Sequence, residues 1–377
     1  MKTRVISEVE KNKEKILALS DYIMENPEIA MEEHKAAGKL AEYLRSEGFE
    51  VEENFAVMAT AFRATKKNGE GPRIAFLAEY DALPGYGHAC GHNLIAAMSV
   101  GAGVALASIL DTCKGEVSII GTPAEEIGEG KPYLIEKGIF DGYDAAMMIH
   151  PFSQTCADPV VTTIGGYDFT FEGKTAHAGA KPFAGINALD AVVMLYNGVS
   201  VLRQQLKDGT RIHGIVLDGG TAVNSIPDRC RIRMEVRAEE LDYYNEVVEK
   251  VINCAKGAAL ATGCKLEYRQ FERTCRGLNE NPVLVKIFRD KLAELGIQEG
   301  PTVFGGSTDM GDVSYKLPAI HPFLKCVEND EFLHTQEFLE AMNKPYAKES
   351  AVTGMKLLAL TGLALFENPE LINELKA

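Results

Sequence analysis

Ile74-Ala75-Phe76-Leu77-Ala78-Glu79-Tyr80-Asp81-Ala82-Leu83-Pro84 runs on into Gly87-His88-Ala89-Cys90-Gly91-His92-Asn93. The opening five residues form a short, continuous apolar run, the pattern expected of a strand buried on both faces. Behind it come an acidic turn and a glycine-flanked loop that carries His88, Cys90 and His92. Alternate residues of an extended segment point the same way, so Cys90 and His92 can face one point in space. A thiolate and an imidazole aimed together suit a transition-metal ion, Zn²⁺ in particular.

Working outward, residues 117–121 and 145–149 repeat the short apolar run. Helical spacing lies between them over residues 93–110 and 131–137, and earlier over 5–24 and 31–47, divided by Asn26-Pro27. Strands alternating with helices predict a doubly wound α/β domain with a mostly parallel sheet. After Pro151 the pattern changes. Residues 166–172 alternate polar and apolar, and a helix over 187–206 follows. Strands at 212–217 and 230–237, a helix over 241–261 and a strand at 265–271 complete the series. The order β-α-β-β-α-β predicts a ferredoxin-like α+β domain. Helical spacing returns from Asn281, followed by a strand at 319–325 and a helix over 344–366. The expected organisation is therefore an α/β domain (1–164 and 277–377) interrupted by an inserted α+β domain (165–276). An exposed loop accepts such an insertion when the inserted ends lie close together.

The 377 residues are 46% hydrophobic and 25% charged, with a formal net charge of −15. That is ordinary globular composition. No Lys/Arg run supplies a basic patch, which argues against a nucleic-acid partner. The first residues lack an apolar signal core, and the apolar stretches are interrupted by Gly, Ser or charges, so no membrane span is expected. The eight cysteines are scattered. A reduced, cytoplasmic setting follows as the expectation, with Cys113, Cys254, Cys264 and Cys326 as small core residues.

Five segments hold the residues suited to chemistry: Cys90 and His92; Glu125-Glu126 after Gly121-Thr122-Pro123-Ala124; His150-Pro151; Leu333-His334-Thr335; and Gly173-Lys174-Thr175-Ala176-His177. Sites in open α/β sheets gather at the carboxyl ends of strands, where three of these segments fall. Cys90 as a nucleophile with a histidine base is the competing reading. Gly85-Tyr86-Gly87-His88-Ala89-Cys90-Gly91 is one residue too long for a dinucleotide loop. Gly101-Ala102-Gly103 reads as a place where helices approach closely.

Together these motifs, in this order, resemble the aminoacylase and glutamate-carboxypeptidase metallopeptidases (family twenty of the metallopeptidases). They look most like its amidohydrolase branch, which includes auxin-conjugate hydrolases, aminobenzoyl-glutamate hydrolases and β-alanyl-lysine dipeptidase-like enzymes. The resemblance implies that Cys90, His92, Glu126, His150 and His334 hold one or two divalent ions, Mn or Zn. It implies Glu125 as general base and Asp81 as a carboxylate steadying a ligand imidazole. The inserted domain would be a lid and dimerisation domain, making a homodimer. Its His177 would reach the partner's active site, with Asn224 of Gly219–Asp228 beside it. Gly305-Gly306-Ser307-Thr308-Asp309-Met310 matches the family's substrate loop. The implied substrate is a small amide or dipeptide, cleaved to release an amino acid whose carboxylate Arg273 or Arg276 could anchor. A relative that has lost activity remains an alternative. Asn93 stands where many branch members have Asp. Glu79 stands where carboxypeptidase-type relatives have a first His ligand.

Overall fold

The computed structural model describes residues 1–376, the side chain of Val57 apart. The chain divides into two compact units, Met1–Val160 with Leu278–Ala377, and Val161–Gly277. The sequence pattern places the inserted stretch at 165–276, a few residues inside the second unit's start.

The large sheet of the first unit has six strands: β1 (Glu50–Glu53), β2 (Phe62–Asn68), β3 (Arg73–Ala78), β4 (Gly115–Gly121), β5 (Ala145–Met147) and β11 (Ala319–Ile320). They lie in the order β1-β2-β4-β3-β5-β11. Strands β4, β3, β5 and β11 run parallel, while β1 and β2 are antiparallel additions at one edge. Successive side chains point to opposite faces of a strand. Ile74, Phe76 and Ala78 accordingly enter one apolar core, and Ala75 and Leu77 enter another. Burial on both faces is why β3 reads as an unbroken apolar run.

The larger core is roofed by α1 (Lys2–Glu25), α2 (His34–Ser46), α3 (His92–Ala107), α7 (Pro282–Glu294) and α10 (Pro345–Glu367), with the short α9 (Gln336–Met342) and α11 (Leu371–Leu375) at its margin. In α1 the buried positions Val5, Val9, Asn12, Ile16, Leu19 and Ile23 recur every three or four residues, an amphipathic stripe. The helix stops before Pro27, which disfavours helical backbone in the residue ahead of it. A Cβ on Gly101 would lie 2.5 Å from Met355 Sδ, and one on Gly103 would lie 2.5 Å from Ile119 Cδ1. These two glycines let α3 press against α10 and the sheet. The second core is closed by α4 (Gly130–Glu136) and α8 (Met310–Ser314).

Several sequence expectations need correction. The apolar run at 145–149 is a strand only to Met147, and 319–325 is two strands. Both segments leave the large sheet together and re-form as a separate parallel pair, β6 (His150–Phe152) with β12 (Phe323–Lys325). Pro151 and Pro322 sit near this change, where a residue without N–H cannot extend a central ladder. The strands β1 and β2 were not anticipated. Cys264 and Cys326 are buried, but Cys113 and Cys254 are only partly so. Finally, His92–Asp111 and Pro345–Glu367 are each long and apolar enough to cross a membrane by length and composition. The interrupting glycines and serines do not shorten these helices. Both are mostly buried inside the protein, as core helices are.

The second unit has the order β7 (Thr163–Glu172), α5 (Ala188–Leu202), β8 (Arg211–Asp218), β9 (Arg229–Ala238), α6 (Leu241–Thr262), β10 (Lys265–Cys275). Its antiparallel sheet is ordered β10-β7-β9-β8, the ferredoxin-like topology. One sheet face and the two helices enclose an apolar core of Phe169, Phe171, Ile232, Met234, Val247 and Val251.

Candidate metal centre

The carboxyl ends of β3, β4 and β5 lie on one edge because these strands are parallel. Glu79 and Asp81 follow β3, Glu125 and Glu126 follow β4, and His150 follows β5. Cys90 sits in the turn before α3, and His92 is the first residue of that helix. Gly91, between them, has φ +82° and would set a Cβ 3.1 Å from Pro151 and 3.2 Å from Met342. Only glycine meets both demands without strain. His334 arrives from the far end of the chain, its backbone N–H donating to the Ala89 carbonyl (2.9 Å).

Donor atoms of Cys90, His92 and His150 lie within 4.8 Å of one another, as do those of Cys90, Glu126 and His334, and of His92, Glu125 and Glu126. Cys90 Sγ is 3.5 Å from His150 Nε2. Glu126 lies between the histidines, with Oε1 3.8 Å from His92 Nε2 and Oε2 3.8 Å from His334 Nε2. His88, the third candidate of the loop, is buried outside this group.

Asp81 orders the centre. Its Oδ1 is 3.0 Å from His92 Nδ1, its carbonyl oxygen is 2.9 Å away from the same nitrogen, and its Oδ2 accepts the Glu126 N–H at 2.9 Å. His92 Nδ1 therefore carries a proton, and Nε2 is left to take a second proton or a cation. Among the described residues that Nε2 is buried without a hydrogen-bond partner, as are Glu126 Oε1 and Glu79 Oε2. Lone pairs facing one another in a dry site are unfavourable unless a cation lies between them. The thiol, imidazole and carboxylate donors fit a Zn²⁺- or Mn²⁺-like ion.

Protonation follows burial and neighbours. Burial would lower His92, but Asp81 and Cys90 outweigh it and raise it well above the ordinary value. Burial, with His92 adding, holds His150 down to about 3, so its imidazole is neutral. Burial pushes the Cys90 thiol far up. It also raises Glu125 well above the usual range, with Glu79 and Asp309 adding to the effect.

Beneath Glu125 lies a wholly buried ionic group that sequence reasoning missed. Lys131 Nζ pairs with both Glu79 Oε1 and Asp309 Oδ1, and the Lys131 N–H donates to Asp309 Oδ2 at 3.0 Å. Donor atoms of Glu79, Glu125 and Asp309 come within 4.8 Å of one another. A lysine beside a glycine and a proline gives no periodic signal of burial. Its place just after the Glu125-Glu126 pair was the available hint. Of the loop 305–310, it is Asp309 that enters this group. Gly305 is half-buried, Gly306 is exposed with φ +56°, and Ser307 is half-buried.

His177, Asn224, Arg273 and Arg276 belong to the second unit, all exposed. The first two are brought together there. His177 bridges to Ser225, and the Ala178 N–H donates to the Asn224 carbonyl at 2.9 Å. His177 Nδ1 accepts from the N–H groups of Gly179 and Ala180, both at 3.2 Å. Its outward Nε2 is thus the protonated nitrogen, a hydrogen-bond donor. Arg273 lies in β10 and Arg276 just beyond it.

The peptidase family M20/M25/M40 matches residues 75–361. The Xaa-Arg dipeptidase of Mus musculus is 36% identical, covering 99% of this chain and 90% of the relative. A subunit of the p-aminobenzoyl-glutamate hydrolase of Escherichia coli is 27% identical, covering 97% and 92%. Among solved structures, a Bacillus subtilis protein described as a dinuclear metal binding peptidase of the M20 family superposes with TM-score 0.79 at 21% identity, over 95% of this chain and 99% of that one. Fold, motif order and this extent of likeness agree: the chain belongs to the M20/M25/M40 peptidase family and is a metal-dependent hydrolase.

Proposed function

We propose that this chain hydrolyses the amide bond of a dipeptide or N-acyl amino acid, with Cys90, His92, Glu126, His150 and His334 holding one or two divalent ions. The observation that carries the reading is the convergence of those five donors beside Glu125. An ion held there would supply Lewis-acid polarisation of the scissile carbonyl and make water a nucleophile near neutral pH. Glu125 takes the proton of the attacking water on a carboxylate oxygen and passes it to the leaving amine. Asp81 keeps His92 in the ligating tautomer and fixes the Glu126 backbone.

His177 Nε2–H, with Asn224, donates to the developing oxyanion of a partner subunit's site. An edge strand with exposed apolar side chains supports association through the second unit. In β8, Ile215 is 61% exposed and Val216 47%, and Val201 on α5 is 74% exposed. The substrate's carboxylate is anchored by Arg273 or Arg276, with Gly305, Gly306 and Ser307 along the substrate. The names of the relatives favour dipeptides and aminobenzoyl-glutamate-like amides. A cysteine-nucleophile mechanism fares worse, because Cys90 lies among the other candidate ligands, within 4.8 Å of donor atoms of His92, His150, Glu126 and His334.

The test is a panel of dipeptides and N-acyl amino acids assayed before and after chelation, with Mn²⁺ or Zn²⁺ restored. Amide hydrolysis lost to chelator and regained with the ion is expected. Hydrolysis indifferent to chelator but abolished by a thiol reagent would refute the reading.

A further inference from the structure

Residues 27–33 lie between α1 and α2, which starts at His34 and not at Met31 as the spacing predicts, and they touch both loops of the candidate centre. The Glu28 carbonyl accepts the Ala82 N–H at 2.8 Å, and Ile29 bridges to Ala82, immediately after Asp81. Five residues on, Glu33 is fully buried, and its Oε1 accepts the Ala124 N–H at 2.9 Å, immediately before Glu125 and Glu126. Ala124 has φ +62°, the left-handed conformation that a residue with a Cβ resists.

Glu33 is also the N-cap residue of α2, yet its side chain does not cap that helix. Glu28 does so instead, its carboxylate accepting the N–H groups of Lys35 and Ala36 at 2.8 and 3.0 Å. Orphan N–H groups at a helix start are ordinarily served by the N-cap side chain. Here that duty passes to Glu28, and Glu33 is left to reach the other loop.

We infer that Glu33 is a positioning residue, which holds Ala124 in its left-handed conformation and so aims Glu125 and Glu126. The inference rests on the reading of those two glutamates given above. Without the Glu33 acceptor, Ala124 relaxes toward ordinary backbone, and both carboxylates following it swing.

The test compares Glu33→Ala, Glu33→Gln and the double variant Glu33→Ala/Ala124→Gly. The measurements are Mn²⁺ affinity of the metal-stripped protein, kcat and KM on a dipeptide, and thermal melting. Glu33→Ala should weaken Mn²⁺ binding and lower kcat at least tenfold, with KM little changed. Glu33→Gln should restore both, because its amide oxygen still accepts from Ala124. The double variant should restore most of both, because glycine takes the left-handed conformation freely. Native Mn²⁺ affinity and kcat in Glu33→Ala would overturn the inference. So would a loss that follows melting temperature and is relieved by neither second change. If the wild-type chain hydrolyses no amide, the mechanism above fails on its own. The Mn²⁺ affinities of the three variants then decide the role of Glu33 alone.

Discussion

Replacing Lys131 by Met removes an ammonium from a place no solvent reaches. Lys131, Glu79 and Asp309 are each at most 1% exposed. The methionine keeps the apolar stem, so packing is nearly conserved and the change is electrostatic. Glu79 and Asp309 then lose the ammonium they share, and Glu79 keeps only the His92 imidazole, 3.7 Å away. Breaking a buried pair by removing one partner destabilises by about 3–5 kcal/mol. Two charge-assisted hydrogen bonds are lost as well, and the same range covers them. We expect the first unit to lose about 3–5 kcal/mol in urea unfolding at pH 7. The chain has no Trp, so the transition is best followed by far-ultraviolet circular dichroism. A second variant completes the cycle. Lys131→Met/Asp309→Asn should recover a measurable part of the loss, because one of the two stranded charges is gone. A loss below about 1 kcal/mol in Lys131→Met, on the scale of an exposed pair, would refute the reasoning. So would an additive double variant.

Four other outcomes are expected. Glu125→Gln should retain its bound ion by elemental analysis and lose about 10²–10⁴-fold in kcat; a fall in metal content instead would reverse the roles given to Glu125 and Glu126. Cys90→Ser should weaken retention of a soft ion during dialysis, since a hydroxyl is a poorer ligand for it; unchanged content would remove Cys90 from the set. His177→Ala should keep its metal and lose about 10²–10³-fold in kcat, as for an oxyanion donor; near-normal turnover would end that role. In the second unit Arg233 grips Asp168 at 2.8 and 3.0 Å and holds its carboxyl below the usual range. A depressed carboxyl stabilises above its unfolded pKa of about 3.9, and that stability is lost as pH falls through the folded value. Acid titration followed by dichroism should therefore show Asp168→Asn losing less stability than wild type below about pH 4; parallel curves would contradict this.

The central strands were legible because burial on both faces leaves a composition signal. Ile74, Phe76, Val117 and Ile119 carry no polar alternation that could hide it. β1 was invisible for the opposite reason, as its residues Glu50–Glu53 are largely exposed and charged. β2 ends in Lys66-Lys67-Asn68, which reads as loop. The break after Met147 is a matter of two segments changing sheets together, and neither shows it alone. In the candidate centre, Cys90, His92, Glu126, His150 and His334 were nameable because residue type announces ligating chemistry. Glu33 and Lys131 were not. Their side chains are of kinds usually found in solvent, and only partners distant in sequence, Ala124 for one and Glu79 with Asp309 for the other, make burial tolerable.

His334 reaches the cluster through a segment tethered to the Ala89 carbonyl, and in chain order the entire Val161–Gly277 unit stands between it and His150. During synthesis, then, four prospective ligands emerge long before the fifth. A nascent chain halted anywhere short of residue 334 would lack the fifth donor of the proposed set.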